Sequence, residues 1–456
     1  MGIRIVVVGG GPGGYTCAIK AAQLGAEVIL AEASGIGGTC LNVGCVPTKS
    51  LLQTAGFYCK AALNSVPGVI IPGAELDWPA VQDQKDKTVR RLSGGVSALL
   101  RHNGVKVYNE KAVLLPDRSI RIGAETMATD AIVLATGSHS ARLDFPGADL
   151  PGVIDSTEAL SLEKVPASLV IVGGGVIGVE FAALYASLGV KTTIIELTPH
   201  ILPSMDAEIA EYVPEMLATN GVEVFTNAKL VGANRTVDDL AVCYEVNGAT
   251  RIVTAEKLLI AVGRQPNTSG FGLENLSVKM TRGAITTDEY FQSSIPWLYA
   301  VGDCNGQIML AHAAMAQGEA AAEHIMGFQS RVNQRLIPAC AYSSPEIAAV
   351  GMTEEQVAAS GVDYSVGRFD LGGNARAVIE ESGGFVKIIA DKKLGEILGV
   401  HIIAPHATEM IAAAALCMSL EGTVEDIAAT IHAHPTVSES LREAAMSVFG
   451  KPIHAF

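Results

Sequence analysis

One arrangement occurs twice in this chain, and it restricts the fold more than any other feature. Ile3-Arg4-Ile5-Val6-Val7-Val8 runs into Gly9-x-Gly11-x-x-Gly14, and Leu169-Val170-Ile171-Val172 runs into Gly173-x-Gly175-x-x-Gly178. Each glycine cluster leads through a helical stretch to a second apolar run ending in an acid, Glu32 in one copy and Glu196 in the other, 23 residues after the first glycine in both. Unbroken runs of Val, Ile and Leu are the pattern of strands buried on both faces, as in a parallel sheet covered by helices. In the second copy Ile177, Phe181, Leu184 and Leu188 recur at helical spacing and are expected to face that sheet. The stretches 132–137 and 259–263, each a buried strand ending in a glycine turn, echo the duplication.

The chemistry follows from the context rather than from the glycines alone. In a strand–glycine–helix unit of this kind the first glycine permits the tight turn. The second lets backbone approach a pyrophosphate, and the third lets helix and strand pack closely. The helix N-terminus then offers unpaired N–H groups and a positive dipole end to phosphate. Two units imply two bound dinucleotides, with Glu32 and Glu196 accepting from ribose hydroxyls. Glu196 would repel a 2′-phosphate, and residues 197–203 contain no Arg or Lys to receive one, so NAD is expected over NADP.

At 456 residues the chain is too long for a single core. The pattern predicts an α/β protein: two Rossmann-like dinucleotide-binding domains plus a C-terminal α+β domain. The expected divisions are 1–145, carrying the cysteine segment, 146–268 for the second dinucleotide, 269–337 completing the first site, and 338–456 for the C-terminal domain. With 49% hydrophobic and 17% charged residues the chain is neither disordered nor membrane-spanning. A net charge of -15 argues against nucleic acid and anionic membranes as partners. A strand beginning at Ile3 leaves no room for a cleavable leader, which makes a cytoplasmic location the expectation.

Of eight cysteines, only Cys40 and Cys45 form a close pair in a glycine-rich setting, Gly37-Gly38-Thr39-Cys40-Leu41-Asn42-Val43-Gly44-Cys45-Val46-Pro47-Thr48-Lys49. The others read as small core residues. In an unbroken helix residues five apart lie roughly 8 to 9 Å from each other, beyond the ~7 Å a disulfide tolerates. The turn must therefore be distorted, with Asn42 and Gly44 as the places for it. So short a loop adds little stability but can be reduced and re-formed, and no second pair suggests an iron–sulfur site. The helical run from Thr48 to Leu63 would put Cys45 near a positive helix end, where a thiolate is favoured.

Taken together, residues 37–49, both glycine clusters, Gly302-Asp303 and His432-Ala433-His434-Pro435-Thr436-Val437-Ser438-Glu439 resemble the dihydrolipoamide dehydrogenase branch of the pyridine-nucleotide disulfide oxidoreductases over essentially the whole chain. The resemblance implies FAD and NAD as cofactors and a Cys40–Cys45 disulfide. Cys40 would exchange with the dithiol substrate, and Cys45 would be the thiol in charge transfer with the flavin. It places the FAD ribitol on Asp303, lines the flavin with Met309, Leu310, Ala311 and His312, and pairs Lys49 with Glu180 beside it. It also assigns Gly38, Thr39, Ala112, Thr136, Gly137, Ser138, Val231 and Gly263 to cofactor binding. His434 would be the acid/base and Glu439 its orienter, a pairing that makes physical sense because a carboxylate raises imidazole basicity and fixes its tautomer. Thr436-x-x-Glu439 reads equally as a helix capping box, and His432 reads as scaffold. One departure stands out: Ala313 occupies a position where relatives often carry Lys.

The same resemblance implies a homodimer joined through the C-terminal domain, with Met410–Leu420 and Ala444–Phe449 supplying apolar surface. It implies as partner a lipoyl-bearing protein of a 2-oxoacid dehydrogenase or glycine-cleavage complex. The rivals are a glutathione- or mycothione-type disulfide reductase on the same fold and a noncatalytic anchoring subunit. Glu196 counts against NADPH-linked reductases, and the presence of both cysteines and His434 counts against the anchoring subunit.

Overall fold

The computed structural model describes residues 2–63 and 65–455, which form two compact units. The first comprises 1–51, 77–141 and 263–334, and the second 52–76, 142–262 and 335–456.

The first unit is built on a five-stranded parallel sheet in the spatial order 298–300, 131–134, 4–8, 27–31, 106–108. Side chains alternate across a strand, so Arg4–Val8 divides its apolar residues between two cores. Ile5 and Val7 pack with Cys17, Ala18 and Ala21 of the helix Pro12–Gln23 and with Ala320 to Ala322 of the helix Ala311–Ile325. Val6 and Val8 pack with Ala112, Leu114, Ile120 and Ile122, which belong to a three-stranded antiparallel sheet on the opposite face. Burial on both faces accounts for the uninterrupted Val/Ile run.

The second unit repeats this plan with the parallel order 222–225, 191–195, 168–172, 257–260, 153–154. Its covering antiparallel sheet, 228–235, 240–246 and 249–255, contributes Ala233, Val242 and Tyr244 to a core with Val170, Val172 and Ile195. Phe181 and Leu184 are buried on the helix Val176–Ser187 as expected, but Ile177 is only half-buried; Val179 and Tyr185 go inside instead. The buried arc is thus wider than one stripe and is rotated away from Ile177.

The same unit also contains a five-stranded antiparallel sheet in the order 339–341, 346–351, 397–404, 385–391, 364–370. Met410, Ile411, Ala414, Leu441, Ala444 and Ala445 from the helices Ala407–Ser419 and Glu439–Val448 close its core. Leu416, Leu420, Ile431 and Phe449 are left exposed. Among the described residues no helix is long and apolar enough to cross a membrane.

Candidate active site

The two glycine clusters have the same construction. Gly9 and Gly173 adopt φ of +107° and +110°, open to glycine at little cost. A Cβ on either would collide with the carbonyl of the strand-end residue opposite, Ala135 or Ala261. A Cβ on Gly14 or Gly178 would collide with the carbonyl of Gly9 or Gly173, so the third glycine is what seats helix against strand. Gly11 and Gly175 are the N-caps of the two helices and provide no side-chain cap, unlike Asp206 and Thr353 on other helices. The first-turn N–H groups are thereby left for an anion, the condition for holding a pyrophosphate.

The two acids are fixed alike. Glu32 Oε2 accepts from Gly10 N–H at 2.6 Å while Oε1 accepts from Ser34 and Gly35 N–H. Glu196 Oε2 accepts from Gly174 N–H at 2.5 Å and Oε1 from both the N–H and the hydroxyl of Thr198. Each carboxylate therefore stands at the mouth of its glycine turn, where a ribose would meet it. These features fit two dinucleotides.

The cysteine segment forms two helices, Gly38–Val43 and Cys45–Ala62, broken at Gly44. A Cβ on Gly44 would lie 2.8 Å from the carbonyl oxygen of Thr39, so only glycine lets the second helix come this close to the first. Asn42, the other residue proposed for the distortion, lies inside the first helix, and its Nδ2 donates to the Gly38 carbonyl at 2.9 Å. The second helix starts at Cys45 itself rather than at Thr48. The break brings the side chains of Cys40 and Cys45 into hydrogen-bonding contact. That contact with Cys45, followed by burial, pushes the Cys40 thiol well up, with the nearby Lys49 ammonium working in the opposite direction. Once one thiolate exists, the second proton is hard to remove.

The first unit collects the other expected flavin residues. Ala112 is buried. Thr136 Oγ1 donates to the Asn267 carbonyl at 2.6 Å, and Asn267 Nδ2 returns a bond to the Thr136 carbonyl at 2.9 Å. Gly137 follows with φ +70°, and Ser138 Oγ donates to Asp303 Oδ2. Asp303 sits in the turn Gly302–Asn305, which is held by Gln317: its Oε1 accepts from Gly302 N–H at 2.7 Å and from Asn305 Nδ2 at 2.9 Å. Met309 and Leu310 lead into the helix that begins at Ala311, with His312 exposed in its first turn. Ala313 is 1% exposed, so a Lys there would have to bury its charge.

In the second unit Glu180 is buried and its Oε1 accepts from Tyr342 N–H at 3.1 Å. Val231 is exposed on an antiparallel strand. His434 Nδ1 pairs with Glu439 Oε1 at 2.9 Å, and the imidazole is largely open to solvent. Glu439 Oε2 accepts from Thr436 N–H at 2.8 Å, while Thr436 Oγ1 donates to the Ala433 carbonyl. Only half of a capping box is present, and one carboxylate serves both the loop and the ring. Burial would raise the Glu439 carboxyl, but the Thr436 N–H and His434 outweigh it and hold the group below its usual range. His432 is half-buried, with Nδ1 against the Thr430 carbonyl. A cavity of about 330 Å³ opens here, lined by His432, His434, Glu439, Arg442, Glu443 and His454.

Arg264, Asn267, Gln317 and Thr198 escaped the sequence reading. The echo between 132–137 and 259–263 reaches the position before Arg264, and the strand Arg264–Pro266 pairs with Ser138–Ser140. The one available signal was therefore that the two echoing turns continue into partners.

Two dinucleotide folds, a vicinal cysteine pair and a histidine–carboxylate pair define a flavin- and nicotinamide-dependent thiol–disulfide oxidoreductase. Residues 3–318 match the pyridine nucleotide-disulphide oxidoreductase model and residues 337–445 the dimerisation domain of the same group. The chain is 40% identical to dihydrolipoyl dehydrogenase from Geobacillus stearothermophilus, over 98% of this chain and 97% of that protein. Among solved structures it resembles LpdA from Mycobacterium tuberculosis, with TM-score 0.89, 31% identity and coverage of 97% and 99% of the two chains. It also resembles the HOCl-induced flavoprotein disulfide reductase RclA from Escherichia coli, with TM-score 0.86, 29% identity and coverage of 96% and 98%. The chain belongs to the pyridine nucleotide-disulphide oxidoreductase family, and its cofactors are FAD and NAD.

Proposed function

We propose that this enzyme oxidises the dithiol of a protein-bound dihydrolipoyl group and reduces NAD+ to NADH. The observation that carries this reading is the Cys40–Cys45 contact created by the break at Gly44, in the same unit as the first dinucleotide fold. His434, held through Nδ1 by Glu439, takes the proton from the incoming thiol. The resulting thiolate attacks Cys40 in the Cys40–Cys45 disulfide, and Cys45 leaves as the thiolate. The second substrate thiol then displaces Cys40, so substrate departs as a cyclic disulfide and two electrons remain on the cysteine pair. Cys45 is the better site for the retained charge because it begins the 18-residue helix and because Cys40 resists ionisation. FAD held at the first glycine cluster and Asp303 would supply the two-electron route from the cysteine pair to NAD+.

Gly9, Gly11, Gly14, Glu32, Gly38 and Thr39 would hold the FAD nucleotide end, Asp303 its polyol and residues 309–312 its ring. Gly173, Gly175, Gly178, Glu196, Val231 and Gly263 would hold NAD. Lys49 and Glu180 would each serve the flavin. The dimerisation-domain match and the exposed Leu416, Leu420, Ile431 and Phe449 support a homodimer in which His434 serves the partner's cysteine pair. The lipoyl carrier would belong to a 2-oxoacid dehydrogenase or glycine-cleavage complex.

A second reading, reduction of another disulfide, is favoured by the likeness to RclA. Steady-state assays of dihydrolipoamide, glutathione disulfide and related disulfides with NAD and NADP separate the two. Dihydrolipoamide with NAD should give the highest kcat/KM; preference for a different disulfide would replace the first reading with the second.

A further inference from the structure

A one-way chain of hydrogen bonds ends on Asp303. Arg264 Nε donates to Ser138 Oγ at 2.7 Å, and Arg264 Nη2 donates to the Ser138 carbonyl at 2.8 Å. Ser138 Oγ in turn donates to Asp303 Oδ2. Arg264 Nε is 3.8 Å from that same oxygen, so the guanidinium faces Asp303 directly as an ion pair as well as through the serine hydroxyl. A guanidinium can only donate, whereas a hydroxyl has one proton to give. Because Ser138 Oγ accepts from Arg264, its single proton is committed to Asp303 and the direction of the chain is set. Oδ2 is tied in this way, which leaves Oδ1 able to accept from an incoming hydroxyl.

The backbone supports the same arrangement. The strand Arg264–Pro266 pairs antiparallel with Ser138–Ser140, which holds the guanidinium stem beside Ser138. On the other side Gln317, 1% exposed, fixes the turn that carries Asp303. All of these groups belong to the first unit.

We propose that Arg264 and Ser138 are positioning residues for FAD: they orient Asp303 as a pure acceptor for the hydroxyls of the flavin's polyol chain. This rests on the placement of the polyol at Asp303 under the proposed function. Neither residue needs to touch the reacting atoms.

The test is titration of apoprotein with FAD, followed by flavin fluorescence, for Arg264→Met, Ser138→Ala, the double variant, Arg264→Lys and Asp303→Asn. A hydrogen bond involving a charged group sets the scale, so each of the first two variants should weaken FAD binding about tenfold or more. The double variant should lose little beyond either single one, because one chain has been cut twice. Arg264→Lys, which keeps a cationic donor, should recover part of the loss. An Arg264→Met protein that binds FAD within about twofold of wild type, or losses that multiply in the double variant, would overturn the inference. So would an apoprotein that melts earlier while its FAD affinity is unchanged, since that marks a structural role alone. If Asp303→Asn binds FAD as well as wild type, the polyol placement itself fails. If Asp303→Asn is impaired and Arg264→Met is not, only the positioning role fails.

Discussion

Lys387 Nζ lies 2.9 Å from Asp206 Oδ1, with both side chains withdrawn from water although 181 residues separate them in the chain. Asp206 caps the helix Ala207–Thr219, and its Oδ2 also accepts from Glu354 N–H at the start of the helix Glu354–Ser360. Lys387 reaches Glu208 at 2.8 Å and Glu354 at 2.6 Å as well. One ammonium therefore bridges three carboxylates and ties a helix of the dinucleotide fold to the antiparallel C-terminal sheet.

Lys387→Met should cost about 3 to 5 kcal/mol, the penalty for leaving the buried Asp206 carboxylate without its cation. Urea denaturation of the apoprotein measures it. A loss below about 1 kcal/mol would mean that the cluster relaxes into water once the lysine is gone.

The same cluster makes the fold acid-labile. Burial pushes the Asp206 carboxyl up, but Glu354 N–H, Lys387 and His401 prevail and hold it below its usual 3.8. Its stabilisation is present above that value and is lost as pH falls through the lower folded value. His401 is buried and held below its usual 6.5, chiefly by desolvation, with Nε2 on the Met352 carbonyl and Nδ1 without a partner. The unfolded chain therefore takes up a proton first as pH drops below 6.5, and stability declines there. Urea midpoints against pH should fall on the acid side of neutrality, and His401→Gln should flatten that upper part of the curve. An unchanged slope in the variant would assign the lability elsewhere.

Gly44→Ala should impair turnover far more than it harms folding. The added methyl meets the Thr39 carbonyl, so the two helices must separate and the cysteines with them. Overpacking of this size costs about 1 to 3 kcal/mol of stability, whereas dithiol oxidation depends directly on the sulfur–sulfur approach. Melting temperature and single-turnover kinetics, measured side by side, distinguish the two effects. Full activity in Gly44→Ala would show that the break does not control the pair.

The cysteines should differ in kind. Two-electron reduction of the holoenzyme should produce a long-wavelength absorption band that survives alkylation of Cys40 and disappears in Cys45→Ser. A band that persists in Cys45→Ser would reverse the assignment. With Glu196 held at the second glycine turn, NAD should exceed NADP at least tenfold in kcat/KM, about 1.4 kcal/mol. Equal use of both would remove Glu196 from that role.

Composite sites have their own signature. Mixing Cys45→Ala and His434→Ala subunits gives hybrids with one doubly defective and one intact site, so roughly a quarter of wild-type activity should return on random reassociation. No recovery would place both groups within one chain.

Much of this protein was legible in its sequence because the governing forces there are local. The doubled glycine clusters announced two parallel sheets, since a strand, a turn and a helix share a few consecutive residues. The spacing of Cys40 and Cys45 required a broken helix, and Gly44 was one of two residues that could provide it; the clash a Cβ would make with Thr39 decided for Gly44 over Asn42. Glu439 could be read as a helix cap or as the partner of His434, and only the folded loop showed one carboxylate doing both. Arg264 and Ser138 are 126 residues apart, and Ser138 and Asp303 are 165 apart. No periodicity links them, because strand pairing and sheet order, rather than neighbouring residues, bring their donors and acceptors together. The same holds for Lys387 and Asp206, where the low dielectric of a core assembled from distant segments turns ordinary side chains into a strong interaction.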